Sequence, residues 1–231
     1  MLKAIFLIIL LAAKIFFGFA IAGEGGQVRT GTQRWDFDSN PVDQSPAGFS
    51  FGRTGSGRVG RWLIKTDKDA PSGANVLAQT DADATSYRFP VAVADSALLR
   101  NARVSVRCKP VSGKVDQACG LVFRYRDENN YYVIRANALE NNVRLYLVKE
   151  GKRQQFAGWD GPVSNGVWHR LSVEARDDRF EIYWNDKRVI DARDQTFKES
   201  GRIGVWTKAD SLTYFDDLTV ESLDPGSADR K

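Results

Sequence analysis

The chain has 231 residues, 33 lysines and arginines against 29 aspartates and glutamates, one histidine, and a formal net charge of +4. Such a near-balance, with no basic cluster along one element, excludes a nucleic-acid binder; one histidine and two cysteines exclude the usual zinc sites. The length suits one all-β domain.

Residues 1–22 read as a secretory signal peptide. Met1-Leu2-Lys3 gives a positive start, residues 4–13 are an unbroken apolar run, and Ala20-Ile21-Ala22 supplies small residues for cleavage. Lys14 interrupts the apolar stretch and argues against a spanning helix, so an uncleaved anchor is the alternative. Export to the periplasm or medium is expected, with membrane contact only if the leader stays. Loss of Lys3 and Lys14 lowers the net charge from +4 to about +2. Residues 23–33 read as a glycine-rich lead-in, 34–223 as the folded domain and 224–231 as a tail.

Within the domain, alternating polarity and turn residues predict strands near 34–37, 60–64, 76–79, 86–93 and 103–109. Further strands follow near 120–125, 131–137, 143–149, 154–157, 168–175, 179–184, 188–191, 202–207 and 213–220. The stretch from Thr54 to Gly60 is glycine-rich but lacks the lysine and helix of a phosphate loop, and reads as a loop. Asp177-Asp178 and Asn185-Asp186 supply hairpin turn chemistry. No long window follows a helical period, so helices should be few and short. Many short two-faced strands predict a sandwich of two curved antiparallel sheets.

The run from Cys119 to Val148 is the most telling. Leu121, Phe123 and Tyr125 alternate with Val122, Arg124 and Arg126; Ile134 and Ala136 alternate with Arg135 and Asn137; Leu145 and Leu147 alternate with Arg144 and Tyr146. Near the end, Val205 and Thr207 alternate with Trp206 and Lys208. Aromatic rings can stack on the C–H faces of sugars, and planar polar groups can bind their hydroxyls. Arg124, Arg135, Asn137, Tyr146, Trp206 and Lys208 are therefore the candidate ligand-binding residues; the alternative is a solvated face whose arginine stems cover aromatics. Cys108 and Cys119, at facing ends of consecutive strands, are expected to form a disulfide, two buried thiols being the alternative.

The segments GLVFRYRDENNYYVIRANALENNVRLY (120–146), WHRLSV (168–173) and GRIGVWTKADSLTYFDDLTV (201–220) resemble a bacterial exported family with the concanavalin A-like, laminin-G-like jelly roll. That family lies close to the domain also labelled 3-keto-disaccharide hydrolase and is loosely grouped with family 16 glycoside hydrolases. The resemblance implies a jelly-roll sandwich of two curved antiparallel sheets, with a glycan on the concave face. It also implies two alternatives: a 3-keto-glycoside hydrolase or lyase, and a protein–protein interaction domain of the cell envelope. The E-x-D-x-E catalytic strand of family 16 glucanases is absent: Glu181 is followed two residues on by Tyr183, and Glu174 by Arg176. For elimination from a 3-keto sugar, Glu140, Asp127, His169 or Lys208 could serve, and the sequence singles out none. The catalytic residues therefore stay unknown. His169, in Trp168-His169-Arg170-Leu171, reads as structural. Asp216 shares parity with Leu218 and Val220, the expected core side, where an unpaired carboxylate is costly. Related jelly rolls hold a structural calcium there, implying Asp216 as a ligand with Asp36 and Asp38; a salt bridge or a solvated strand end is the alternative.

Overall fold

A computed structural model describes residues 31–224. The predicted leader and most of the lead-in and tail therefore lie outside the described residues. The chain forms β1 (Thr32–Trp35), β2 (Phe49–Gly55), β3 (Trp62–Thr66), β4 (Asn75–Gln79) and β5 (Arg88–Leu99). It continues through β6 (Ala102–Ser112), β7 (Ala118–Asp127), β8 (Asn130–Asn137), β9 (Asn142–Lys149) and β10 (Lys152–Asp160). The last five strands are β11 (His169–Arg176), β12 (Arg179–Trp184), β13 (Lys187–Arg193), β14 (Gly201–Trp206) and β15 (Leu212–Ser222). There is no helix among the described residues. β1 begins at Thr32, inside the stretch read as a lead-in, and β2 was not predicted at all.

The strands make two antiparallel sheets. The first runs β13-β12-β11-β6-β15-β4-β3, with β1 also on β15; the second runs β10-β9-β8-β7-β14-β5-β2. Two facing rows show how polarity builds the sandwich. In the first sheet Ile182, Val173, Val104 and Val220 are register partners across β12, β11, β6 and β15. In the second, Leu145, Ile134, Leu121, Val205 and Ala92 are partners across β9, β8, β7, β14 and β5. All nine are buried in the core between the sheets. Each large apolar side chain so buried contributes about 1.5–3 kcal/mol.

Cys108 and Cys119 are bonded, with Cα atoms 6.2 Å apart. Their strands are not neighbours in one sheet, as adjacency in sequence suggested: β6 belongs to the first sheet and β7 to the second. Both side chains face the core, so the bond ties the layers together through the sandwich interior.

Three irregularities break the even–odd rhythm. In β7 the register shifts after Phe123, with Arg124 at φ 47°; Tyr125 leaves the core side and joins the cluster on the opposite face. In β14 it shifts between Arg202 and Gly204. In β15 it shifts after Asp216, with Asp217 at φ 50°, so that Phe215 and Leu218 both face the core. Asp216, paired with Arg107, consequently faces away from the sandwich core, contrary to the parity reading. The predicted hairpin turns are present: Asn185 and Asp186 take φ 47° and 65°, the left-handed region such turns need.

Candidate functional site

One residue along from the second sheet's core row lies the row that faces outward. Trp206, Gly120, Arg135 and Arg144 are register partners across β14, β7, β8 and β9. A Cβ on Gly120 would come within 2.8 Å of the Trp206 side chain, so the indole can lie over β7 only because that position is glycine. Trp206 Nε1 donates to Tyr131 Oη at 3.2 Å, and Tyr131 Oη lies 2.6 Å from Thr54 Oγ1, which donates in turn to the Glu128 carbonyl. That chain fixes both rings. Burial pushes the Tyr131 phenol well above its ordinary range, so it stays a neutral donor.

The ring cluster on this face comprises Phe89, Tyr125, Tyr131, Tyr146 and Trp206, with Phe89 stacked on Trp206 at 5.2 Å. It is packed rather than open: Trp206 is fully buried and Tyr146 is 6% exposed. Arg153, from β10, covers it. Its guanidinium carbon lies 4.4 Å from the ring centres of both Phe89 and Tyr146 and 5.8 Å from that of Trp206.

Beside the rings is a polar cluster. Arg135, 2% exposed, grips Glu140 with both terminal nitrogens, at 3.2 and 2.7 Å, and donates to Asn142 Oδ1 at 2.6 Å. Asn142 Nδ2 donates to the same Glu140 carboxylate at 3.1 Å. The hairpin between β8 and β9 carries all three groups. Burial pushes the Glu140 carboxyl up, but the Arg135 and Asn142 hydrogen bonds prevail and bring it down to about 2. Its side chain is nevertheless 45% exposed, so an ionised acceptor faces solvent at the rim. Asn137 donates to Asp116 Oδ1 at 2.9 Å, and Lys208 contacts the other oxygen of that carboxylate. Burial raises the Asp116 pKa, against the pull of Lys208. Among the described residues, two buried donors have no partner here: Arg135 Nε and Arg153 Nη1.

Of the six predicted ligand residues, five thus meet on one face: Arg135, Asn137, Tyr146, Trp206 and Lys208. Arg124 does not. The β7 bulge turns it to the sandwich end, where it donates to the carbonyls of Arg100, Phe197 and Asp177 and lies 5.1 Å from the Phe180 ring. It lines a separate cleft of about 340 Å³ with Arg100, Asp177, Asp178, Asp194 and Lys198. Arg153, Phe89, Asp116 and Asn142 escaped the sequence reading. Lys152-Arg153-Gln154-Gln155 has no apolar alternation to orient it, and Phe89 comes from a distant strand.

Of the four candidate bases, Glu140 and Lys208 belong to this cluster, whereas Asp127 accepts hydrogen bonds from Asn129 and Asn130 in the turn after β7. His169 starts β11 in the other sheet, stacked on Trp184 at 4.5 Å. Its Nε2 donates to the Ser164 carbonyl at 2.9 Å and its Nδ1 accepts from Asn185 at 3.1 Å. Burial lowers its pKa and keeps it neutral, which is the structural role expected.

The three carboxylates of the expected calcium site are engaged within the chain. Asp216 accepts from Ser72 N at 3.0 Å, Ser72 Oγ and Asp217 N. Asp38 is taken by the amides of Ala74 and Asn75, and Asp36 by the Asp38 amide. Calcium takes six to eight oxygens, so these three carboxylates alone would not complete a site. No group of three or more metal-ligating side chains is arranged for a metal among the described residues.

No family profile matches the chain. It is 34% identical over 108 residues to the levanase of Bacillus subtilis strain 168, covering 46% of this chain and 15% of the levanase, so it spans a small part of that relative's length. Its fold is similar to carbohydrate-binding module CBM66 from Bacillus subtilis, at TM-score 0.61 and 23% identity, covering 76% of this chain and 96% of the module. The chain thus shares the jelly-roll fold of that module. The exoplasmic/lumenal domain of VIP36 in its Ca²⁺-bound form shares the fold at TM-score 0.53 and 12% identity, covering 82% of this chain and 90% of that one.

Proposed function

We propose that the protein is a carbohydrate-binding module that holds a glycan on the outward face of its second sheet. The observation that carries this is the Arg135–Glu140–Asn142 fork, an ionised, half-exposed acceptor fixed beside buried guanidinium donors and a ring cluster. Vicinal sugar hydroxyls each need a donor and an acceptor, and charge-assisted hydrogen bonds from such groups are about twice as strong as neutral ones. Lys208 and the Asn137–Asp116 pair supply a further donor and hold the cluster's far side. Trp206 and Tyr146 act as its floor, with Arg153 between them and solvent. We take this face to be the concave one expected from sequence to hold a glycan.

The partial likeness to a levanase makes levan, a fructose polymer, the first polysaccharide to test. Titration calorimetry over a panel of levan, other neutral glycans and uronate polymers should find binding. Glu140→Gln, which keeps shape but loses the charged acceptor, should weaken it about tenfold, on the order of 1.4 kcal/mol. Binding by no glycan, or full affinity in the variant, would refute the reading. The site of action we place outside the cytoplasm, in the periplasm or medium, with a membrane tether if residues 1–22 stay attached. Its support is the Lys3-led apolar run of the sequence and the disulfide.

A further inference from the structure

Not every cation of the ligand face has a partner of opposite charge. Lys208 pairs with Asp116, Arg135 with Glu140 at 2.7 Å, and Arg144 with Asp160 at 2.5 Å. Arg153 is a fourth cation, and no carboxylate of the described residues pairs with it. Three aromatic rings surround its guanidinium, and its buried Nη1 lacks a partner. Arg135 lies against one of the same rings: its guanidinium carbon is 5.7 Å from the Tyr146 centre, where that of Arg153 is 4.4 Å. Two like charges thus share one ring, each with an unused buried N–H. Removing a cation from water without a counter-charge is costly, and ring faces return only part of that cost. The missing element is an anion.

We infer, building on the glycan reading, that the natural ligand is an acidic glycan. A uronate carboxylate would pair with the solvent-facing edge of the half-buried Arg153 guanidinium, while Glu140 and Lys208 take ring hydroxyls. The carboxylate would make the fourth charge pair. The Phe89–Tyr146–Trp206 rings would hold Arg153 ready for it, because a guanidinium fixed by stacking loses little freedom on binding.

Isothermal titration of the whole protein with polygalacturonate and alginate, each against its methyl ester, and with levan as a neutral reference, tests this. The methyl ester keeps the sugar and removes the charge. At low salt one of the acids should bind at least about tenfold tighter than its ester, and added salt should reduce that margin. Arg153→Gln should abolish the margin, and Arg153→Lys should restore part of it, with thermal midpoints confirming that both variants fold. Acid and ester binding alike, or levan binding where neither acid does, would overturn the inference and leave the glycan reading standing; so would an undiminished margin in Arg153→Gln. Binding of no glycan, charged or neutral, would remove the glycan reading itself and this inference with it.

Discussion

Asp216 shows how a residue read as costly in sequence finds partners that the sequence does not show. The sequence marks it as a carboxylate that burial should disfavour, and burial indeed raises its pKa to about 6, with the neighbouring Asp217 charge adding to the rise. What satisfies it is Ser72, on the strap between β3 and β4, 144 positions away in sequence and invisible to parity. A carboxyl whose folded pKa lies above its ordinary 3.8 stabilises most when protonated. That contribution is whole below about pH 3.8 and is lost as pH rises through about 6. Asp216→Asn, which removes the charge but leaves one oxygen for the amides of Ser72 and Asp217, should therefore be better tolerated near pH 7 than near pH 4. Thermal melts at both pH values, with and without added calcium, would check this; a calcium-dependent wild type destabilised by the substitution would favour the metal reading.

At the level of strands, legibility followed the core. Rows such as Leu121, Ile134, Leu145 and Val205 could be read from alternation because each strand has one dry face, and the same alternation sent Arg135, Tyr146 and Trp206 to the other side. It failed at β2, where Ser50, Gly52, Arg53 and Thr54 carry little apolar signal although Phe49 packs into the core. It failed again at the β7 bulge, because one extra residue reverses every later side chain. Arg124 and Tyr125 therefore exchanged roles, and the former belongs to the sandwich end rather than to the proposed ligand face. The cysteine pair was legible and its setting was not, since sequence does not say which sheet a strand joins. A bond closing so short a loop is worth about 3 kcal/mol. Intact-mass analysis of protein expressed in its own cell, purified without reductant, should find both thiols oxidised and residues 1–22 removed. Free thiols on a full-length chain would contradict export.

For the whole molecule, the two sheets divide the work. Over β6, β11, β12 and β13 the first sheet's outward side carries a ladder of surface charge pairs, Arg103 with Glu174 and Glu221, and Arg179 with Asp191 among them. Such exposed pairs are each worth about 0–1 kcal/mol and mainly keep a sheet face soluble. The second sheet's outward side instead gathers rings, buried guanidinium groups and one ionised rim carboxylate. The jelly-roll crossing makes this possible: β5, β7 and β14, distant in sequence, become neighbours under Phe89, Gly120 and Trp206. The most direct check of that division is backbone and side-chain amide chemical-shift mapping during titration with the tightest-binding glycan of the panel. Shifts should concentrate on Arg135, Glu140, Asn142, Arg153 and the Trp206 indole. Shifts clustered instead at the Arg100–Asp194–Lys198 cleft, or spread over the charged ladder of the first sheet, would contradict the account.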